Sequence, residues 1–126
     1  MLGDKQAVAT VAVKDMDTAK KFYEGTLGLT KDKEDPSGIL YKSGSSSVFV
    51  YPSEFAGTNK ATAVSWGVGD DIGSVVEGLK AKGVVFEQYD NLPGVTREGD
   101  VHVMGDLKAA WFKDPDGNIL NIVNQM

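Results

Sequence analysis

The order of strands and helices repeats once along this chain, and that repeat constrains the fold more than any other feature. Residues 7–13 form a short, valine-rich apolar run that ends at Lys14-Asp15, which predicts a strand followed by a helix capped by Asp15. Apolar residues at helical spacing predict a helix over residues 16–27 that ends at Gly28. Three more strands follow, separated by turn-forming residues, at 30–34, 38–42 and 46–51.

The same order of elements restarts after an irregular polar linker, residues 52–60. Residues 61–68 predict a strand, and Asp71 is the candidate cap of a second helix that ends at Lys82-Gly83. The remaining predicted strands are 84–88, 109–113 and 119–124, and the turn Asp114-Pro115-Asp116-Gly117-Asn118 joins the last two. Placing Asp15 on Asp71 superposes the two halves. We therefore expect one α+β domain, residues 1–126, built from two βαβββ modules at about 7–51 and 61–124.

The segment from Tyr89 to Leu107 interrupts the second module and contains the one histidine of the chain, His102. Long irregular segments inside compact domains are often functional lids. A surface excursion that carries one extra edge strand at about Val101–Met104 explains the sequence equally well. Both interpretations stay open at the level of sequence.

Composition excludes several classes of protein. There is no cysteine, so disulfides, thiolate metal sites and cysteine nucleophiles are absent. The formal net charge of −5 argues against nucleic acid as a partner. No stretch approaches the about 18 consecutive apolar residues of a membrane helix, and no secretory leader precedes the first strand, so we expect no membrane partner and a cytoplasmic location.

Two motifs at opposite ends of the chain carry a family resemblance. Residues 13–29 combine an Asp-capped helix, Phe22-Tyr23 and a Leu27-Gly28 end, and residues 111–118 contain Trp-Phe-Lys-Asp-Pro-Asp-Gly-Asn. Together they resemble the vicinal oxygen chelate superfamily, which includes glyoxalases, bleomycin-resistance proteins and extradiol dioxygenases. The resemblance implies two curved sheets that form an open cup with helices outside. We expect a homodimer, because symmetric pairing would cover the open sheet edges.

In metal-dependent members of that superfamily, strand residues of both modules hold one divalent ion in the cup. The resemblance places these ligand positions at Val8, at Val64 or Ala63, at Val48 and at Asn121. Aliphatic side chains have no donor atom that could coordinate Zn²⁺, Fe²⁺, Ni²⁺ or Mn²⁺, and an amide is a poor substitute for imidazole or carboxylate ligands. We therefore expect no metal and no other cofactor.

The alternation of strand residues puts Trp66 on the same face as Val8 and Thr10, which the resemblance implies is the cup face. Trp66 would then project into the cup beside Asn121, where its indole would stack on a planar or cationic ligand. An alternative is that Trp66 only fills the core. The sequence does not determine on which face of its sheet the Trp111 side chain lies. No catalytic group is identified. The residues expected to line the ligand pocket are Thr10, Val48, Trp66, His102, Trp111 and Asn121.

Three functions are compatible with these residues. The favoured one is a metal-free binding protein of the bleomycin-resistance type, which holds a small planar or cationic ligand in an apolar cup. The first alternative is a glyoxalase-like or dioxygenase-like lyase or oxidoreductase that acts on a small carbonyl or catechol compound. The second is a metal-free isomerase or lyase that uses His102 or a tyrosine as its acid or base. The candidate tyrosines are Tyr41, Tyr51 and Tyr89.

Overall fold

The structure is a computed structural model that describes residues 1–125, and the last residue, Met126, lies outside it. Module one contains a four-stranded sheet in the order β1-β4-β3-β2, with β1 parallel to β4 and the other pairs antiparallel. The strands are β1 (Ala9–Val13), β2 (Thr30–Asp35), β3 (Gly38–Ser43) and β4 (Ser46–Pro52). The predicted β, α, β, β, β order is confirmed.

The first helix changes its hydrogen-bonding pattern along its length. Helix α1 spans Met16–Lys20 and continues as a π-helix over Lys21–Thr26. As predicted, Asp15 caps it, since its Oδ1 accepts the backbone N–H groups of Asp17 and Thr18 at 2.9 and 3.3 Å. These two hydrogen bonds lower the pKa of Asp15. Periodicity alone does not distinguish an α-helix from a π-helix, so the sequence predicted only the extent of the helix.

Module two repeats the plan with an insertion. Its strand order is β5-β10-β9-β8-β7, β5 is parallel to β10, and β6 also pairs with β9. The elements are β5 (Thr62–Gly67), a 3₁₀ turn (Gly69–Asp71), α2 (Ile72–Ala81), β6 (Phe86–Glu87), β7 (Thr96–Glu98), β8 (Val101–Met104), β9 (Leu107–Lys113) and β10 (Ile119–Val123). Within residues 1–125, no helix has the length and apolar character needed to cross a membrane.

Two details of module two differ from the prediction. The Asp71 side chain makes no capping hydrogen bond, because the preceding 3₁₀ turn gives Asp71 a φ of −82° and a ψ of 7° rather than the extended backbone that a cap residue needs. The segment from Tyr89 to Leu107 contains the hairpin of β7 and β8. The extra strand at Val101–Met104 is confirmed, although β7 and not β8 forms the edge of the sheet.

Each sheet has a core face and an outer face. In β1, Val11 and Val13 are buried, whereas the preceding residue, Thr10, is exposed and points to the opposite face. We call core faces those that contribute to the buried cluster shared by both modules and both helices, and outer faces the opposite ones. Full burial of one large apolar side chain contributes about 1.5–3 kcal/mol. The shared core therefore holds the two modules together.

Candidate functional site

Helix α1 of module one meets the sheet of module two at a junction built around Asp114. The Oδ2 atom of Asp114 accepts the Tyr23 hydroxyl and the Asn118 amide, each at 2.8 Å, and its Oδ1 accepts the backbone N–H groups of Asp116 and Asn118. The Asn118 amide also donates to the carbonyl of Ala12 at 2.7 Å. We call the junction formed by Phe22, Tyr23, Phe112, Asp114 and Asn118 the sealed junction.

The groups of the sealed junction are not free to react. The Asp114 carboxylate is buried and accepts four hydrogen bonds, and burial together with the Asp114 charge raises the pKa of Tyr23. The linker also packs closely against this turn, since a Cβ atom on Gly57 would lie 2.0 Å from the Asp116 carbonyl oxygen. The sealed junction therefore joins the modules through buried hydrogen bonds and close packing.

Helix α2 meets module one at a second junction, and this one contains a cavity of about 570 Å³. That volume falls within the range of small-molecule pockets, about 300–1,000 Å³. We call it the inter-module cavity. Its lining residues are Leu27, Gly28, Leu29, Thr30, Lys42, Ser43, Gly44, Trp66, Val68, Val75, Leu79, Phe112 and Ile122. Apolar side chains from both modules dominate this lining, and the polar ones come from strands β2 and β3.

Trp66 lies in the inter-module cavity but not in the position that the sequence predicted. In the parallel pair β5–β10, Trp66 is opposite Ile122 and Ser65 is opposite Asn121. Because neighbouring strand residues point to opposite faces, Trp66 is on the core face and Asn121 on the outer face. The prediction that the two lie side by side is wrong. The half-buried indole donates its N–H to the Ser43 hydroxyl at 2.9 Å, which links the two modules across the cavity.

The outer face of the second sheet carries an aromatic cluster of Tyr89, His102 and Trp111. The ring centroids of His102 and Trp111 are 5.0 Å apart, and each lies within 5.6 Å of Tyr89. His102 is only 2% exposed, and its Nε2 accepts the backbone N–H of Tyr89 at 2.9 Å. In a neutral ring the proton therefore sits on Nδ1. Trp111 donates its indole N–H to Thr62.

Two buried polar atoms of this outer face have no hydrogen-bond partner within residues 1–125: Nδ1 of His102 and Oδ1 of Asn121, whose residue is 6% exposed. Unpaired buried polar atoms are uncommon in folded proteins. The register places Asn121 opposite Trp111, which fixes the face of Trp111 that the sequence left open. His102 lies on the same face, since it is opposite Ala109.

The six residues expected to line one pocket are therefore divided among four places. Trp66 lines the inter-module cavity, whereas His102, Trp111 and Asn121 lie on the outer face of the second sheet. Thr10 is exposed on the outer face of the first sheet. Val48 is buried in the core, because it pairs with Tyr41 on the core face of that sheet. The structure does not bring these six side chains together.

The candidate acid–base tyrosines are placed differently from one another. Tyr41 is buried and donates its hydroxyl to Oε2 of Glu24 at 2.8 Å, and burial together with this hydrogen bond raises its pKa. Desolvation and the charge of Glu87 raise the pKa of Tyr89. Tyr51 stacks on Phe49 on the outer face of the first sheet, with ring centroids 5.9 Å apart. None of the three lines the inter-module cavity.

The residues at the expected metal positions do not fit a divalent cation. Val8 is exposed, Val48 and Val64 are on core faces, and Asn121 supplies only an amide. Residues 1–125 contain no group of three or more histidine, aspartate or glutamate side chains positioned to hold a metal ion. The donor set is therefore too poor for the imidazole and carboxylate coordination that such ions require.

The fold and the residues above agree with comparisons to known proteins. The model of the glyoxalase/bleomycin resistance protein/dioxygenase superfamily matches residues 5–122. The chain belongs to this superfamily. None of the curated proteins matches its sequence.

Solved structures of this superfamily share the fold at low sequence identity. A glyoxalase family protein from Enterococcus faecalis is 18% identical, with a TM-score of 0.74 over 98% of this chain and 99% of that one. A superfamily member from Alicyclobacillus acidocaldarius is 15% identical, with a TM-score of 0.70 over 95% and 90%.

A third structure is a variant of the fosfomycin resistance protein FosX from Listeria monocytogenes, complexed with Mn(II) and 1S,2S-dihydroxypropylphosphonic acid. It is 14% identical, with a TM-score of 0.72 over 100% and 93% of the two chains.

Sequence reasoning missed the residues that enclose the inter-module cavity. The sequence predicted Leu27-Gly28 only as the end of the first helix, and it gave Val75 and Leu79 no role beyond their place in the second helix. The sequence predicted no role for Ser43, although its hydroxyl accepts a hydrogen bond from the Trp66 indole N–H. The sequence signal for the cavity is the pair of small residues Ser43-Gly44 at the β3–β4 turn, together with a second helix that contains no aromatic residue.

Proposed function

We propose that this chain is a metal-free, cytoplasmic binding protein that holds a small planar molecule in the inter-module cavity. The observation that carries the proposal is the cavity of about 570 Å³ whose apolar lining includes the half-buried Trp66. A flat indole beside aliphatic side chains favours stacking of a planar ligand. The lining offers no histidine or carboxylate that would serve as a general base, so it supports binding rather than catalysis.

Nuclear magnetic resonance with the neutral probe 2-naphthamide tests this proposal. The chain has two tryptophans, so a ¹⁵N-labelled sample shows two indole N–H signals that report on two different faces. We expect a saturable shift of the Trp66 signal, because the probe would contact its ring, and little change at Trp111. A shift confined to Trp111 would place the ligand on the outer face and contradict the proposal.

A second candidate function has an observation of its own. The unpaired Nδ1 of His102 and Oδ1 of Asn121 lie on one outer face beside Trp111, and this favours a metal-free isomerase or lyase acting on a small carbonyl compound there. His102→Gln and Asn121→Leu would each abolish such an activity. Neither substitution should change 2-naphthamide binding in the inter-module cavity.

We also propose that the protein forms a homodimer through its outer faces. Support comes from Phe49 and Tyr51, which stack on the outer face of the first sheet, and from Leu40, which lies opposite Phe49 there. Symmetric pairing would remove this apolar surface from water. Sedimentation velocity at micromolar concentration should give a dimer, and Phe49→Glu should give monomers. A wild-type protein that sediments as a monomer would contradict this proposal.

A further inference from the structure

The polar residues around the inter-module cavity belong to two different faces of the first sheet. Ser43 is on the core face, because it follows the buried Tyr41 by two positions in strand β3. Lys42 lies between these two residues and is opposite Thr30, so the side chains of Lys42 and Thr30 project to the outer face. The core-face part of the lining therefore has two polar side chains, Ser43 and Trp66, and neither is charged.

These two side chains together offer one hydrogen-bond donor to the cavity. The indole of Trp66 has a single N–H and no acceptor, and it donates that N–H to the Ser43 hydroxyl at 2.9 Å. The hydroxyl is the acceptor in this bond, and within residues 1–125 its own proton is donated to no protein atom. The proton of Ser43 is therefore available to an acceptor atom of a bound molecule.

The β3–β4 turn holds Ser43 in place before any ligand binds. The carbonyl of Ser43 accepts the Ser46 hydroxyl at 2.9 Å, and the two residues are paired across the hairpin. Gly44, which follows Ser43, has a φ of 58°, a backbone conformation that glycine adopts without strain. A donor that is already ordered costs less entropy to use in binding than one on a mobile segment.

We infer that the inter-module cavity binds a neutral aromatic carbonyl compound, with the ring on Trp66 and the carbonyl oxygen accepting the Ser43 hydroxyl. Ser43 is then a specificity-determining residue. This inference rests on the proposed function. It retains the planar ligand expected from the sequence and excludes the cationic one, because an ionised group taken out of water requires an opposite charge or several hydrogen bonds. The core-face lining supplies neither.

Four naphthalene probes of similar shape test the inference. They are 2-acetylnaphthalene, 2-isopropenylnaphthalene, which has CH₂ in place of the carbonyl oxygen, 2-naphthoate and 2-naphthylmethylammonium. Titration of the Trp66 indole signal in ¹⁵N-labelled protein gives each affinity and shows where each probe binds. We expect the ketone to bind about 5-fold more tightly than the alkene, as one neutral hydrogen bond allows, and both charged probes to bind more weakly than the ketone.

Two substitutions of equal volume separate the hydroxyl of Ser43 from the shape of the cavity. Ser43→Thr keeps the hydroxyl and should preserve the preference for the ketone over the alkene. Ser43→Val replaces the hydroxyl with a methyl group and should reduce that preference to about twofold or less, while the two variants bind the alkene equally well. Ser45→Ala is the matched control, since Ser45 is an exposed residue of the same turn outside the lining, and it should leave all affinities unchanged.

The outcomes distinguish this inference from the proposed function. Equal affinities for the ketone and the alkene, with the Trp66 signal shifted by both, would overturn the inference and leave the binding function standing. Tightest binding of a charged probe would also overturn it. A preference for the ketone that survives in Ser43→Val would assign the contact to the Trp66 N–H and overturn the role of Ser43. If no probe shifts the Trp66 signal, both the proposed function and the inference are wrong.

Discussion

The two junctions between the modules are built from corresponding elements but have opposite character. At the sealed junction Phe22 and Tyr23 of the first helix contact Phe112 and Asp114 of module two. At the other junction, helix α2 faces the β3–β4 turn across the inter-module cavity. When Asp15 is superposed on Asp71, Phe22 and Tyr23 correspond to Gly78 and Leu79. The second helix thus lacks both aromatic rings, and the space that comparable rings fill at the first junction remains open.

Because of this difference, we expect the sealed junction to contribute mainly to stability and the lining of the inter-module cavity mainly to binding. A buried carboxylate that accepts four hydrogen bonds holds one junction closed, and its replacement should affect folding. The apolar cavity of the other junction is kept open by small and aliphatic residues, and replacement of its lining should affect affinity. Substitutions at the two junctions should therefore act on different measurements.

The largest expected effect is on stability, at the sealed junction. Asp114→Ala leaves four donors without their acceptor, and each unpaired buried donor costs about 1–3 kcal/mol. We expect the free energy of unfolding, measured by urea denaturation, to fall by about 3 kcal/mol or more. Asp116→Ala is the matched control, because Asp116 accepts only the Lys14 N–H across the junction and its loss should cost about 1 kcal/mol. Equal losses in the two variants would contradict the comparison.

Trp66→Ala should weaken binding of 2-naphthamide by about 1–3 kcal/mol, because it removes the aromatic surface of the cavity. If Trp66 were only a core residue, the same substitution would lower the free energy of unfolding by about 3–5 kcal/mol without a specific effect on affinity. Urea denaturation and calorimetry of this one variant therefore separate the two interpretations. Trp111→Phe, on the outer face, should leave the affinity unchanged.

Leu79→Phe should make the junction that contains the inter-module cavity resemble the sealed junction. Leu79 lines the cavity, and a phenyl ring at this position would occupy part of the space that a ligand needs. We expect the affinity for 2-naphthamide to fall by about 1 kcal/mol, while the free energy of unfolding rises by about 0.5–2 kcal/mol, as in other cavity-filling substitutions. An unchanged affinity would show that the ligand binds elsewhere.

Alkaline pH should destabilise the sealed junction more than the junction that contains the inter-module cavity. The pKa of Tyr23 is raised by burial and by Asp114, so its contribution to stability is complete below pH 10, the ordinary tyrosine value, and declines as the pH rises further. At pH 10.5 one such tyrosine should lower the free energy of unfolding by about 0.8 kcal/mol. Tyr23→Phe should remove this part of the pH dependence in urea denaturation. The same loss in Tyr23→Phe as in the wild type would contradict the assignment.

The smallest expected effect is that of divalent metals. Zn²⁺, Ni²⁺, Mn²⁺ and Fe²⁺ should leave the Tm unchanged, because a ligand stabilises a protein only by binding its folded state and no suitable donor set occurs in residues 1–125. EDTA should likewise have no effect. A rise of several degrees with one of these metals would show that a donor set forms elsewhere, for example between two copies of the chain around His102.

The sequence by itself determined the two modules, the Asp15 cap and the Asp-Pro-Asp-Gly-Asn turn, because hydrophobic periodicity and turn chemistry act over a few neighbouring residues. It also determined the family, since the motifs at both ends are local. The identity of the side chains at Val8, Val48, Val64 and Asn121 was enough to argue against a metal, because coordination depends first on donor type.

Only the tertiary structure decided the position of Trp66 and the existence of the cavity. The face of a strand residue changes with a shift of one position, and the pairing of β5 with β10 contains such a shift between Ile119 and Leu120. Likewise, the cavity lies between residues that are distant along the chain, such as Leu29 and Leu79. Whether two distant surfaces fill the space between them depends on the combined volumes of their side chains in the packed core, and no local pattern records that sum.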